Sequence, residues 1–379
     1  MSLFVEFHLI QNFAPSNLNR DDTGAPKDAI FGGHRRARVS SQCFKRAIRL
    51  DAAEKAHIPQ EYRSVRTKKL KQLLEGRLAE LGRQDAGAKV EEALAGAGLK
   101  LKDGKTEYLL FLGLGEIEGF ARLIDKHWDV LGNSLLSEEK KSKKEAKASV
   151  PAEVVREAKA LLDGRKAVDV ALFGRMLTDM PEVNKDAACQ VAHAISTHKV
   201  EREFDYFTAV DDKAVAGEPQ VEMIAHVEFN SATFYRYAVI DAHKLAENLQ
   251  GDKELALTGI GAFTNAMARA IPTGKQNTFA AHNPPSFVGV VLRHSSPFNL
   301  ANAFERPVWP RTDRELTALS VEKLAEHEAK VSAAYGDGKD AWGYIDLTGA
   351  WPASKGKAQI SLDALTEWVQ EQVRAELGD

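Results

Sequence analysis

Between Phe31 and Arg49 the chain carries Arg35, Arg36, Arg38, Lys45, Arg46 and Arg49 and no acidic residue, although its formal net charge is −3. Cations grouped in this way suit an anionic ligand if the backbone presents them together. Ser40 or Ser41 can cap a helix here, because a serine oxygen accepts from an unpaired amide of the first turn. Along that helix Gln42, Lys45, Arg46 and Arg49 fall at i, i+3, i+4 and i+7 and share one face, while Phe44, Ala47 and Ile48 take the other. The positive end of the helix dipole reinforces the charge. Phe31-Gly32-Gly33, just upstream, lets backbone amides approach a ligand closely. A run of phosphates is the expected guest, and the GxxxxGK[ST] spacing of a nucleotide loop is absent. A solvated helix face is the plain alternative for any basic run; here no Glu or Asp is interleaved to make its usual i, i+4 pairs.

Three loop acids precede this stretch. Asp21, Asp22 and Asp28 could hold Mg²⁺ beside a basic groove and cut a phosphodiester, although balancing or orienting Arg20 and nearby arginines is the simpler role of Asp21 and Asp22. His34 has no evident partner base for metal-independent cleavage. His193 and His198 are five apart, the wrong spacing for a helical zinc pair, and read as satisfied structural histidines. Cys43 and Cys189 form no CxxC or Cys/His cluster, which argues for a reducing compartment and against a disulfide scaffold. No metal and no cofactor is expected. The chain reads as a non-enzyme, with a metal-dependent endoribonuclease using a loop aspartate as the rival.

At 379 residues, 44% of them hydrophobic, the chain can bury a sizeable core as one large domain with insertions or as two domains. No long apolar run or signal-like segment is seen, so a cytoplasmic protein is expected, neither secreted nor membrane-spanning. The near-neutral balance tells against a general polyanion binder; any nucleic-acid contact must be local and organised.

The basic helix needs a frame. Leu3 to Phe13 reads as a strand, and 17–27 as a polar loop with Gly24 and Pro26 as breakers. Strand, loop and helix open an α/β unit, consistent with a ferredoxin-like or RNA-recognition-motif-like core. From about 62 to 162 amphipathic helices take over. Leu70, Leu73, Leu74, Leu78 and Leu81 form one apolar stripe, and Ile117, Phe120, Ala121, Ile124, Trp128 and Leu131 another. Between them Lys102-Asp103-Gly104-Lys105 predicts a hairpin turn. Lys140, Lys143, Lys144 and Lys147 share a face that, taken alone, reads as solvated. Val168 to Phe173 reads as a short buried strand, Met176 as a core or edge methionine, and Asp186 to Ile195 as a helix.

Thr197 to Gly217 alternates too poorly for a core strand and carries Phe204, Tyr206 and Phe207 among charges. It predicts a protruding hairpin whose aromatics seek a partner surface or bases to stack on, or else pack on their own domain. Met223 to Ile240 is strand material and Leu255 to Ala270 a helix of small residues. The loop after it offers Lys275 and Gln276 as donors to phosphate or sugar. Ser286 to Arg293 is a further strand; 312–335 and 362–377 are helices.

Taken together and in order, Leu18-Asn19-Arg20-Asp21-Asp22, Lys27-Asp28-Ala29-Ile30-Phe31-Gly32-Gly33, Arg35-Arg36, Arg38-Val39-Ser40-Ser41-Gln42 and Lys45-Arg46-Ala47 resemble the N-terminal signature of the type I-E CRISPR Cascade backbone subunits. The resemblance continues through Gly174-Arg175-Met176, residues 205–212 (DYFTAVDD) and residues 272–285 (PTGKQNTFAAHNPP). Members of that family polymerise along a CRISPR RNA. The resemblance implies an α+β fold with a ferredoxin-like/RRM-like palm, an inserted helical fingers domain and a protruding β-hairpin thumb. In this chain that means palm at 1–60, fingers at 61–165, palm at 166–196, thumb at 197–227 and palm at 228–379. It implies a non-catalytic crRNA-binding subunit of an antiviral surveillance complex. The RNA contacts it implies are Arg20, Lys27, Arg38, Ser40, Gln42, Lys45, Arg46, Arg49, Met176, Phe207, Thr208, Lys275 and Gln276. Lys140, Lys141, Lys143, Lys144 and Lys147 would meet target DNA. The implied partners are crRNA, target DNA, adjacent copies in a head-to-tail filament, and the large, small, 5′-end and 3′-end guide-binding subunits. Related backbone subunits of other CRISPR types cleave target RNA with a loop acid, which keeps the aspartates in view.

Overall fold

A strand buried on both faces must pair all its backbone groups and find partners for any polar side chain it carries. The first strand of this chain meets both demands at the centre of a large sheet. The computed structural model describes residues 3–55, 57–132, 150–163, 166–177, 180–210, 221–336 and 338–378. In chain order its strands are β1 (Phe4–Ser16), β2 (Asp28–Phe31), β3 (His34–Val39), β4 (Ser64–Thr67), β5 (Leu101–Lys102), β6 (Lys105–Thr106), β7 (Leu110–Gly113), β8 (Cys189–Val191), β9 (Ala194–Ser196), β10 (Glu203–Val210), β11 (Val221–Asp241), β12 (Phe287–Arg293), β13 (Ala341–Asp346) and β14 (Lys357–Ala358). The fold is α+β, in two compact units. One comprises Met1–Glu54, Gln190–Ala242 and Ile260–Asp379; the other comprises Lys55–Cys189 and His243–Gly259. The expected insertion, 61–165, is thus joined in its compact unit by residues up to Cys189.

The first unit holds a mostly antiparallel sheet in the order β14-β13-β12-β1-β11-β9-β3-β2, with β8 and β10 also pairing β11. β1 runs antiparallel to β11 on one side and β12 on the other. Its polar side chains are answered by these neighbours: Glu6 accepts from Arg293 Nε at 2.6 Å and the Tyr237 hydroxyl at 3.2 Å, and Gln11 Oε1 accepts from Arg236 at 2.6 Å. Helix α1 (Ser41–Glu54) buries Phe44 and Ile48, as its apolar spacing predicts, and Ala52; Ala47, expected beside them, is half-buried and lines a cavity. The expected helices at 312–335 and 362–377 form as Leu316–Tyr335 and Leu362–Leu377.

The second unit is built around helices α2 (Leu70–Glu80), α3 (Gly87–Gly96) and α4 (Leu114–Lys126). Leu70, Leu74, Leu78, Phe120 and Ile124 meet in its core. Leu73 and Leu81 of the expected stripe face outward, so the buried face of α2 is the narrower i, i+4 row. β5 and β6 form the predicted hairpin, with Asp103 and Gly104 both at positive φ (52° and 71°), as a primed two-residue turn requires.

Two elements differ from their sequence reading. Val168–Phe173 is a helix, not a strand. A six-residue apolar run has no periodicity to separate the two, and here Asp169 turns inward to accept the Ser64 hydroxyl while Gly174, at φ 75°, ends the turn. The expected helix over Asp186–Ile195 is instead the short strands β8 and β9. β9 sits between β3 and β11, pairing Ile195 with both Arg38 and Tyr235. The open backbone edges of those strands override the helical spacing of Ala187, Ala188, Val191 and Ile195. Among the described residues no helix is long and apolar enough to cross a membrane.

Candidate nucleic-acid interface

The loop before β2 is fastened to the start of α1 by one side chain. Asn19 Oδ1 accepts the Ser40 amide at 2.9 Å, the Asn19 carbonyl accepts the Lys27 amide at 2.9 Å, and the Lys27 carbonyl accepts the Arg38 amide at 2.9 Å. Ser40 is buried, and its hydroxyl oxygen accepts the Cys43 amide at 3.3 Å; it is therefore the cap that starts the helix. Past it Gln42 and Arg46 are exposed and Lys45 and Arg49 half-buried, all on the face opposite Phe44 and Ile48.

A cavity of about 480 Å³ opens beside this helix, lined by Arg20 and Arg46, by the acids Asp21, Asp51 and Glu54, and by Asn19, Cys43 and Ala270–Gly274 among others. Gly274 lies so close to the Leu18 carbonyl that a Cβ would overlap it. The loop carrying Lys275 is thereby held against the loop carrying Arg20, so residues some 250 apart in sequence flank one basin. Burial pushes the Cys43 thiol up, against the fields of Lys27 and Arg46. Lys275 stands at φ 51° before the short helix Gln276–Phe279. The Gln276 amide nitrogen is used within its own loop, donating to Pro272 O at 3.0 Å and Ala281 O at 3.3 Å. It is therefore not a free donor for phosphate.

The arginines of the β2–β3 hairpin are largely committed to the fold. Arg36 is fully buried and donates to the carbonyls of Ser196 (2.9 Å), Phe304 (2.8 Å) and Glu305 (3.2 Å). Arg38 donates to the Asp28 carbonyl at 3.1 Å and lies 3.1 Å from His193 Nδ1. Desolvation, with Arg38 and Lys27 next, holds the His193 imidazole below its ordinary pKa. His193, read from sequence as structural, is thus an exposed member of the basic cluster; the link between β8 and β9, unseen in the sequence, brings it there. His198 does behave structurally, its Nε2 accepting the Thr233 amide at 3.1 Å.

The loop acids divide. Asp28 Oδ2 is shared by Arg35 (2.6 Å) and Arg202 (3.0 Å). Asp21 does not balance Arg20; it accepts from the Thr23 hydroxyl (2.7 Å) and from the Thr23 and Ala25 amides, and the Thr23 bond, against slight desolvation, holds its carboxyl below the usual range. Among the described residues no three His, Cys, Asp or Glu side chains are grouped to hold a metal ion.

Of the arm predicted at 197–217, Glu203–Val210 form β10, which pairs antiparallel with β11, Phe207 opposite Ala225, and 211–217 lie outside the described residues. Phe204, Tyr206 and Phe207 are 69%, 57% and 39% exposed, Tyr206 leaning on the His226 ring of β11 with centroids 5.4 Å apart, and Thr208 is half-buried. At the arm's root Arg202 bridges Asp28 and, at 3.1 Å, Glu228. In the second unit Met176 is 80% exposed and is no core methionine. Its neighbour Arg175 is buried on Glu116 at 2.8 Å, which leaves the methionine on the surface. Lys140, Lys141, Lys143, Lys144 and Lys147 lie outside the described residues.

This architecture has known counterparts. Residues 5–370 match the model of the Cas_CT1975 family, CT1975-like protein, and the chain belongs to that family. It is similar to a chain of a solved "CRISPR RNA-guided surveillance complex, pre-nicking", with 31% identity, a TM-score of 0.86, and coverage of 98% of this chain and 100% of that one. A second chain, from a "CRISPR RNA-guided surveillance complex", matches with 27% identity, a TM-score of 0.75, and coverage of 97% and 99%. No curated protein matches the chain.

Proposed function

We propose that this chain is a non-catalytic, guide-RNA-binding backbone subunit of a type I-E CRISPR Cascade complex. The observation that carries the reading is the cationic Gln42–Arg49 face, which adjoins a basin shared by Arg20, Arg46 and the loop before Lys275. Its likeness to chains from RNA-guided surveillance complexes supports the same reading. In this account the first unit is an RRM-like palm that grips the RNA backbone through Arg20, Lys27, Arg38, Lys45, Arg46 and Arg49. The second unit acts as fingers, and the β10–β11 arm as a thumb whose Phe207 and Thr208 reach the guide of the adjacent copy. Copies stacking head-to-tail make a heterologous contact that extends along the RNA. Base pairing reads the target, and the protein contributes charge and shape. The rival, cleavage by a loop aspartate, would first have to release Asp28 from two arginines or Asp21 from its own turn.

The test is the salt dependence of RNA binding. Replacing Lys45, Arg46 and Arg49 with alanine removes about three phosphate contacts and should flatten the log K against log salt slope by roughly two units, at about 0.7 per contact on single strands. The apolar face is untouched, so folding should persist. An unchanged slope with intact affinity would sink the assignment. Guide and complementary strands kept with Mg²⁺ or Mn²⁺ should retain their length; cleavage abolished by Asp28→Ala would promote the rival.

A further inference from the structure

We propose that Arg202 is the positioning residue of the β10–β11 arm, fixing the direction in which the arm leaves the sheet so that successive copies can engage along one RNA. This role rests on the reading of the chain as a backbone subunit and deepens it. The arm needs such a device. Among the described residues β10 pairs β11 alone, and a two-stranded ribbon without a third strand is marginal on its own. Its direction must be set at the root, where Glu203 pairs with Phe229 and the ladder of β11 to β1 begins at Asn230.

Three contacts meet at that root. The Val200 amide donates to the Arg35 carbonyl at 3.0 Å and seats the approach to β10 on the β2–β3 hairpin. Asn17, fully buried, donates from its side-chain amide to the carbonyls of Gly24 (2.9 Å) and Glu228 (2.8 Å) and seats β11 on the loop before β2. Arg202 closes the triangle: Nη2 donates to Asp28 of β2 at 3.0 Å and Nη1 to Glu228 of β11 at 3.1 Å. A guanidinium does this through a rigid planar fork, whereas an ammonium on a flexible stem holds two carboxylates less firmly. Asp28 Oδ2 also takes Arg35 at 2.6 Å, so arm and hairpin are fastened at one oxygen. The side chains of Arg202, Asp28 and Glu228 are 26%, 25% and 28% exposed, which shields the pairs partly from water. Partial burial works against the charge on Arg202, and Asp28 and Glu228 together outweigh it and raise its pKa. With both terminal nitrogens engaged, Arg202 has little left for a phosphate, and it acts through the arm rather than as an RNA contact.

The first readout uses the protein without nucleic acid. In Arg202→Ala, amide exchange across residues 203–210 should run about 3- to 30-fold faster, as expected for the loss of two partly shielded ion pairs. Arg202→Lys should recover part of the difference. High salt should speed the same amides in the wild type and scarcely in Arg202→Ala, a response that lost packing alone would not give. The second readout separates positioning from contact. A short oligouridine that holds one copy should bind Arg202→Ala with unchanged affinity and salt slope, unlike the Lys45, Arg46, Arg49 triple-alanine protein. On a long oligouridine the variant should lose cooperativity by roughly the same factor as its exchange gains, seen as lower mass per RNA length in sedimentation at equal protein excess. Equal arm exchange in Arg202→Ala and wild type, or equal coating of long RNA, would overturn the proposal. So would a flattened salt slope on short RNA, which would make Arg202 a contact. A wild type that coats no long RNA would overturn the backbone reading itself, and the exchange comparison would still decide whether Arg202 sets the arm.

Discussion

The β2–β3 hairpin and helix α1 are neighbours in sequence and almost equally cationic, yet they use their charge in opposite ways. In the hairpin, Arg36 is sealed under three carbonyls, Arg38 bonds a fourth, and Arg35 sits on Asp28. In α1 the apolar residues carry the packing, and Arg46 stands exposed over a cavity. The difference follows from secondary structure. A short strand in a sheet sends alternate side chains into the unit, so a run of arginines must bury some of them. A helix can gather every cation on one side. Counting charges along a chain therefore overstates what a ligand meets, and the count must be taken per face.

The sharpest way to break this comparison is Arg36→Met. It strands the carbonyls of Ser196, Phe304 and Glu305, at about 1–3 kcal/mol for each buried unsatisfied acceptor. Relief of a buried charge offsets part of this, leaving an expected loss of roughly 3 kcal/mol in urea denaturation. Arg46→Ala should stay within about 0.5 kcal/mol. Equal effects would refute the division of roles.

A smaller effect comes from acid. Burial first, and Arg36 next, hold the His198 imidazole below 6.5, opposed by the Lys199 carbonyl; its Nε2 must stay unprotonated to accept from Thr233. The unfolded chain takes a proton near 6.5 and the folded one only at lower pH. Between those values the unfolded state binds more protons, so stability falls as pH drops below 6.5 through the folded pKa, by up to about 1.4 kcal/mol per pH unit. His198→Gln should flatten that slope when stability is compared at pH 7.5 and 5.5. An undiminished slope would show that other groups, such as buried His8, carry it.

The smallest expected change is Asp28→Asn. It weakens the partly exposed pairs to Arg35 and Arg202 and should cost about 1 kcal/mol or less. Faster amide exchange in residues 203–210 would show that Asp28 ties hairpin and arm together; unchanged exchange would confine it to the hairpin.

Much of this was legible in residue order. The Phe44 and Ile48 spacing marked the buried side of α1, and Phe204, Tyr206 and Phe207 among charges marked a protruding arm. What stayed hidden depends on partners far along the chain. Arg36 looks like any cation of its run until the carbonyls of residues 196, 304 and 305 close over it. His193 joins Arg38 only because β9 displaced an expected helix.

β11 has a mechanical consequence. Its 21 residues span roughly 70 Å at about 3.3 Å per residue, and the same unbroken backbone forms both the arm's return strand and the neighbour of β1 at the sheet's centre. A pull on the arm is delivered along the strand axis and loads the β1–β11 ladder in shear, where many hydrogen bonds must fail together. The arm is thus cantilevered from the central strand pair of its sheet, and tension on it is resisted by the whole seam.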